Sequence, residues 1–120
     1  QAGDTATRIE NRLGEPAANP YLYMASQIHA GLAGMQACLT PPLATEAPYA
    51  DTTDASAAAQ RIPNNLGDAL AALQADAAMT AGFGADFVRY YSRIKHAEQS
   101  RFEAAEDKLE FQRREYFNRI

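Results

Sequence analysis

The sequence predicts a mostly α-helical chain with one short N-terminal strand. Three observations carry that expectation. Apolar residues recur at spacings of three and four along most of the chain, the pattern of helices that bury one stripe. Pro, Gly and Asn fall between those runs, where helices start and stop. Residues 7–13 instead alternate like a strand, with Arg8, Glu10 and Arg12 on one face and Ile9 and Leu13 on the other.

Each element follows from local chemistry. Gly14-Glu15-Pro16 ends the strand, because Pro16 has no N–H for a sheet ladder. Asn19-Pro20 opens a helix over residues 19–39, Asn as the N-cap and Pro at the first helical position. Its stripe is Leu22, Ala25, Ile28, Leu32, Met35 and Leu39. Gly31 and Gly34 each weaken it by about 1 kcal/mol relative to Ala, which close approach of another backbone would offset. Thr40-Pro41-Pro42 ends the helix. Residues 40–63 read as a long loop rich in Pro, Ala, Thr and Asp, a kind of segment that is usually functional, disordered or packed on another subunit. Residues 65–81 form two short helices, the first capped by Asn64 or Asn65 and carrying Leu66, Leu70 and Leu73. Gly82-Phe83-Gly84 interrupts the chain. The longest helix follows over residues 86–108, with Asp86 at its positive N-terminus. Its stripe is Phe87, Tyr90, Tyr91, Ile94, Ala97, Phe102 and Ala105, continued by Leu109. Residues 109–120 are a C-terminal segment in which Phe111, Tyr116 and Phe117 are expected to cluster.

Composition narrows the function classes. The 120 residues suffice for one domain with a modest core. With 47% hydrophobic and 22% charged residues, the chain reads as globular. A net charge of −4 and a pI near 5.1 argue against nucleic-acid binding, which needs a basic face. No apolar run approaches the roughly 20 residues of a membrane span, and there is no signal-peptide pattern. Cys38 is the only cysteine, so no intrachain disulfide can form, and a cytoplasmic setting fits. The chain opens on Gln1 rather than Met, and a lone strand cannot satisfy its own backbone groups. Both features lead to the expectation of the C-terminal part of a longer protein.

Chemistry concentrates on the strand. Arg8, Glu10 and Arg12 stand roughly 7 Å apart on one face. A carboxylate can ligate a hard cation, and guanidiniums fork onto phosphate or carboxylate oxygens. Phosphoryl transfer uses both. The ordinary alternative is a solvated row of ion pairs, each contributing about 0–1 kcal/mol.

A longer pattern bears on that choice. Thr7-Arg8-Ile9-Glu10-Asn11-Arg12, followed by Glu15-Pro16-Ala17-Ala18-Asn19-Pro20-Tyr21-Leu22, resembles the C-terminal catalytic region of glutamine synthetases. So do Ala30-Gly31-Leu32-Ala33-Gly34, Ile62 to Leu70, the late-helix residues Phe87, Tyr90-Tyr91, Ile94-Lys95 and Glu98, and the ending Arg114-Glu115-Tyr116-Phe117. The resemblance implies a C-terminal fragment of an α+β catalytic domain. It implies that Glu10 is a metal ligand for Mg²⁺ or Mn²⁺, that Arg8 lies on the ATP side, and that Arg12 is the catalytic arginine contacting glutamate and the transferring phosphoryl group. The implied reaction spends ATP to phosphorylate the glutamate side chain, which ammonia or an amine then converts to an amide. The implied partners are the upstream part of the same protein and further copies in a homo-oligomer, a dodecamer by family resemblance. The sequence departs from the family where Glu106 to Phe111 replace a Trp-containing step. Asn11 and Gly14-Glu15 look like divergent members that join glutamate to polyamines or aromatic amines.

With one metal ligand and two arginines, the chain alone is expected to be inert. The alternative of a different class is a non-catalytic helical interaction or regulatory module. His29 and His96 read as surface or interface histidines, and Cys38 as a small buried hydrophobe. Tyr49, in the long loop, lies near where some family members carry an adenylylated tyrosine. The charges from Glu98 to Arg114, Glu110 with Arg114 among them, read as a solvated helix face.

Overall fold

The structure, a computed structural model, describes residues 3–41 and 62–117. Most of the expected long loop, Tyr49 included, lies outside the described residues. Helix α1 spans Pro20–Gln36. The Asn19 side chain accepts from the amides of Tyr21 and Leu22, at 3.0 and 3.2 Å, and starts it. The helix stops three residues before the expected 39, through a Schellman motif rather than through the prolines. The Leu39 amide donates to the Gly34 carbonyl (3.0 Å) and the Cys38 amide to that of Met35 (3.1 Å). Cys38 thereby takes φ 50°, a left-handed position, and is exposed rather than buried as expected.

Helices α2 (Leu66–Ala75) and α3 (Ala77–Phe83) follow. Asn65 caps α2 reciprocally. Its Oδ1 accepts from the Asp68 amide and its Nδ2 donates to Asp68 Oδ2, both at 2.8 Å. Asp76 closes α2 and caps α3, accepting from the Met79 amide at 2.9 Å. Gly84, at φ 88°, turns the chain into α4 (Ala85–Ala104). That helix ends four residues before the expected 108. Ala105 is extended, and Lys108 folds back so that its Nζ donates to the carbonyls of Phe102, Glu103 and Ala105 at 2.6–2.7 Å. One ammonium thus meets three carbonyls at the negative helix end, among them that of Phe102, which also accepts from the Ala105 amide at 3.2 Å. Helix α5 (Lys108–Gln112), capped by Asp107, runs into a π-helical turn, Arg113–Phe117.

Helix α4 packs against α2, α3 and α5, and α1 packs against α3. Among the described residues the buried apolar side chains are Leu70 and Val88, joined by the buried Ser92 and Glu98. An aromatic row, Phe83–Phe87–Tyr91, stacks along α3 and α4 with ring centroids 5.3 and 5.8 Å apart. His29 meets its end edge-on at 5.1 Å from Phe83. The close approach expected at Gly31 and Gly34 occurs instead at Gly82, where a Cβ would collide with the His29 ring. Nothing lies within 4 Å of a Cβ built at Gly31.

The structure corrects further expectations. Residues 7–13 pair with no neighbour, and no strand occurs among the described residues. A strand exists only through ladder bonds to a second one, and the described residues offer no partner edge. The expected α1 stripe splits. Leu22, Ala25 and Ala33 are half-buried, while Tyr21, Met24, Ile28, Leu32 and Met35 form an exposed apolar face. On α4, Tyr90 and Ile94 are exposed, and Val88, Ser92 and Glu98 turn inward. The terminal aromatics do not cluster. Phe111 packs edge-on against Phe102 at 5.7 Å, Tyr116 reaches Glu98, and Phe117 is exposed.

Candidate functional site

Arg8, Glu10 and Arg12 are close together and exposed. Arg12 grips Glu10 with a fork, Nε to Oε1 at 3.2 Å and Nη2 to Oε2 at 3.3 Å. The Arg8 guanidinium stands 4.0 Å from Glu10 Oε2. At such exposure the pairs contribute little to folding. Asn11, between Glu10 and Arg12, is held on α1. Its Nδ2 donates to Gln27 Oε1 at 2.6 Å, and its Oδ1 accepts from the Leu13 amide at 2.9 Å. The Tyr23 hydroxyl lies against the following turn, 3.4 Å from a Cβ built at Gly14.

The donor set can be tested against a divalent ion. Mg²⁺ and Mn²⁺ favour several oxygen ligands in octahedral order. The row offers one carboxylate, both oxygens of which already accept from Arg12, and two cations that repel a third. No group of three or more His, Cys, Asp and Glu among the described residues could hold a metal. The residues present do not by themselves fit the ion. The triplet lines neither of two clefts. One, about 290 Å³, lies between Gly14–Pro16 and Tyr23; the other, about 470 Å³, is bounded by Leu22, Tyr23, Phe83, Phe87, Tyr91 and Lys95.

A second charged cluster sits deeper. Glu98 accepts from Lys95 Nζ at 2.7 Å and from the Tyr116 hydroxyl. Lys95 also lies over the Tyr116 ring, 5.4 Å from its centroid. Burial alone would raise the Glu98 carboxyl, but the hydrogen bonds from Lys95 and Tyr116 and the lysine charge outweigh it and hold the group below its ordinary value. Burial would lower Lys95, yet its bond to Glu98 and that carboxylate's charge hold it above its ordinary value. Burial and the bond to Glu98 raise the Tyr116 phenol. Arg101 adds an ion pair to Glu115 at 2.9 Å. Periodicity missed this cluster by reading residues 98–114 as a solvated face. The signal available was Lys95 and Glu98 at i,i+3 on a helix that also carries the inward Val88 and Ser92. Of the other singled-out residues, His96 is exposed and His29 packs on Phe83.

Comparison with known proteins gives these features a context. The catalytic-domain profile of glutamine synthetase matches residues 1–114. A gamma-glutamylanilide synthase from Acinetobacter sp is 41% identical over 97% of this chain and 24% of its own length. Human lengsin is 37% identical over 96% of the chain and 22% of its own. The glutamine synthetase of Vibrio alginolyticus is 39% identical over 89% of the chain and 24% of its own. The chain thus spans about a quarter of the length of these curated relatives. No solved structure matches it. With nearly its whole length matched, the chain belongs to the glutamine synthetase catalytic-domain family.

Proposed function

We propose that this chain is the C-terminal portion of the catalytic domain of an ATP-dependent glutamate–amine ligase, and that the Arg8–Glu10–Arg12 row is one wall of its active site. The carrying observation is the exposed carboxylate gripped by the Arg12 fork, with the Arg8 guanidinium 4.0 Å away, on a segment that adds almost nothing to the core. The exposed α1 face and the thin core support the reading that the chain works within a larger domain.

In the proposed reaction a γ-carboxylate oxygen of glutamate attacks the terminal phosphorus of ATP and ADP leaves. The nitrogen of ammonia or an amine then adds to the acyl phosphate, phosphate leaves, and the nitrogen loses a proton to give the amide. Arg12 offers its fork to the carboxylate and phosphoryl oxygens, and Arg8 offers charge on the nucleotide side. Glu10 would supply one oxygen ligand to a divalent ion in the full-length protein, with the other ligands drawn from elsewhere in it. Ammonia is the first nucleophile to consider. The identity to a gamma-glutamylanilide synthase favours an aromatic amine as the second reading. The protein is expected to work in the cytoplasm as a homo-oligomer.

The test is turnover of the full-length protein with glutamate, ATP and a panel of ammonia, a polyamine and aniline. Amide formation with one of them is expected, and Glu10→Ala is expected to abolish it, a loss of at least about 10³-fold. Full activity of Glu10→Ala would leave the row as ordinary ion pairs. The isolated 120-residue chain is expected to show no Mg-ATP binding at micromolar concentration by calorimetry.

A further inference from the structure

We infer that the C-terminal turn, Arg113–Phe117, is the tip of a strap that latches onto α4 through a reciprocal pair of carboxylate contacts and opens as a unit separate from the helices beneath it. Every contact involved joins two groups of this chain, and none depends on the active-site reading. The turn and α4 keep their backbones apart. No Cα of residues 113–117 comes within 8 Å of one in α4, so only long side chains bridge them. Two adjacent turn residues do so. The Tyr116 hydroxyl donates to Glu98 Oε1, and Glu115 Oε1 accepts from Arg101 Nη2 at 2.9 Å. Each side thus supplies one carboxylate and one donor. On α4, Glu98 and Arg101 are three residues apart and share a face. On the turn, residues 115 and 116 are consecutive, and consecutive residues of an α-helix point about 100° apart. The π-helical bonding of this turn, i→i+5, widens it and brings successive side chains closer in direction. That geometry lets both residues reach one face of α4.

The base of the strap is held differently. Lys108 Nζ donates to three carbonyls at the end of α4, and the Phe111 ring packs edge-on against Phe102 at 5.7 Å. The base is therefore fixed, while hydrogen bonds and charge hold the tip. A proton can undo such contacts, whereas it leaves apolar packing intact. Glu98 is the group on which the inner latch turns, because it accepts from Lys95 Nζ at 2.7 Å as well as from Tyr116. The charged and titratable groups that face it are Lys95 and Arg101 on α4 and Tyr116 on the turn. Tyr91 in turn faces Lys95, and Glu115 faces Arg101. A proton on Glu98 removes the charge that holds Lys95 and turns one oxygen from acceptor to donor. The carboxyl is held below its ordinary 4.5, so the latch is closed above that value and released as pH falls through the lower folded one. Leu70 and Val88, the buried apolar side chains under α2 and α4, carry no titratable group and stay packed when the tip opens.

The test is amide hydrogen exchange of the full-length protein, read segment by segment and corrected for the intrinsic rate at each pH. Amides of residues 113–117 are expected to exchange at least about tenfold faster than those of α2 and α3 in the wild type. Tyr116→Phe keeps the ring and removes the donor. It is expected to speed exchange of residues 113–117 about tenfold, with α2 and α3 changed less than about twofold. Glu98→Gln keeps an acceptor for Tyr116 but loses the charge, and is expected to speed it by a smaller factor, about threefold. Adding Arg101→Met to Tyr116→Phe is expected to speed it further, since the outer latch goes too. As pH falls from about 6 to about 3.5, wild-type protection of the tip is expected to drop to that of Glu98→Gln, whose own protection stays flat. Tip exchange unchanged in Tyr116→Phe overturns the latch, and an equal rise in α2 and α3 overturns the separate unit. No further rise on adding Arg101→Met overturns the reciprocal pair. Wild-type and Glu98→Gln curves that run parallel through the acid range overturn the role of the Glu98 proton.

Discussion

Glu10 and Glu98 are both glutamates held by a cation, and they differ in almost every consequence. The Glu10 side chain is 51% exposed and bonded to an arginine two residues away, on a backbone with no regular structure. The Glu98 side chain is 9% exposed, set on a twenty-residue helix, and joined to Lys95 and to Tyr116, eighteen residues later. Water screens the first pair, so it contributes little to stability and can be exchanged for a ligand. Removing a partner from the second leaves a charge largely cut off from solvent, which costs far more. One region is exposed and unpacked among the described residues. The other joins the C-terminal turn to α4 because it is packed.

The largest expected effect opposes the two directly. Glu10→Ala removes turnover and leaves the melting temperature within error. Glu98→Ala lowers stability by about 2 kcal/mol, as Lys95 and the Tyr116 hydroxyl lose their acceptor. Urea titration and activity assays on the same two variants would break the comparison if their effects were alike.

The pH dependence sharpens it next. The carboxyl of Glu98 is held below its ordinary 4.5, so its contribution is present above that value and lost as pH falls through the lower folded value. Tyr116 is held above 10.0 and Lys95 above 10.5. Their contributions are present below those values and lost as pH rises through the raised folded ones. The stability difference between wild type and Glu98→Gln is therefore expected to be flat from about pH 5 to 9 and to shrink at both ends. A difference that stayed constant below about pH 4 would remove the cluster from the account of stability.

The smallest effect concerns the end of α1. Cys38 occupies a left-handed position that glycine adopts without strain, so Cys38→Gly is expected to raise stability by about 0.5–1 kcal/mol. Unchanged or reduced thermal stability would show that the side chain makes a compensating contact.

Much of the local structure was legible. Asn19-Pro20 before an apolar run and Asn65 before Leu66 located two helix starts, because caps act within three or four residues, whereas the expected break at Gly82-Phe83-Gly84 falls on Gly84 alone, with Gly82 and Phe83 inside α3. The Arg8–Glu10–Arg12 row was legible too, since its members are two residues apart. The N-terminal strand was misread for the opposite reason: alternation shows that a segment could pair, and pairing needs a second strand. The end of α4 was set by Lys108 folding back onto three carbonyls, a choice that helical periodicity through Ala105 and Leu109 does not contain.

By itself, then, the sequence determined where helices begin, how they are capped, and which three side chains form the charged row. The tertiary structure decided which face of α1 packs on α3, that Gly82 rather than Gly31 takes the close approach, that Glu98 meets Tyr116, and that Asn11 is tied to Gln27. The division follows distance along the chain. Caps and alternation arise from backbone geometry within one turn. The contacts between Glu98 and Tyr116 and between Asn11 and Gln27 span sixteen or more residues, and exist only once packing has set which helix faces meet.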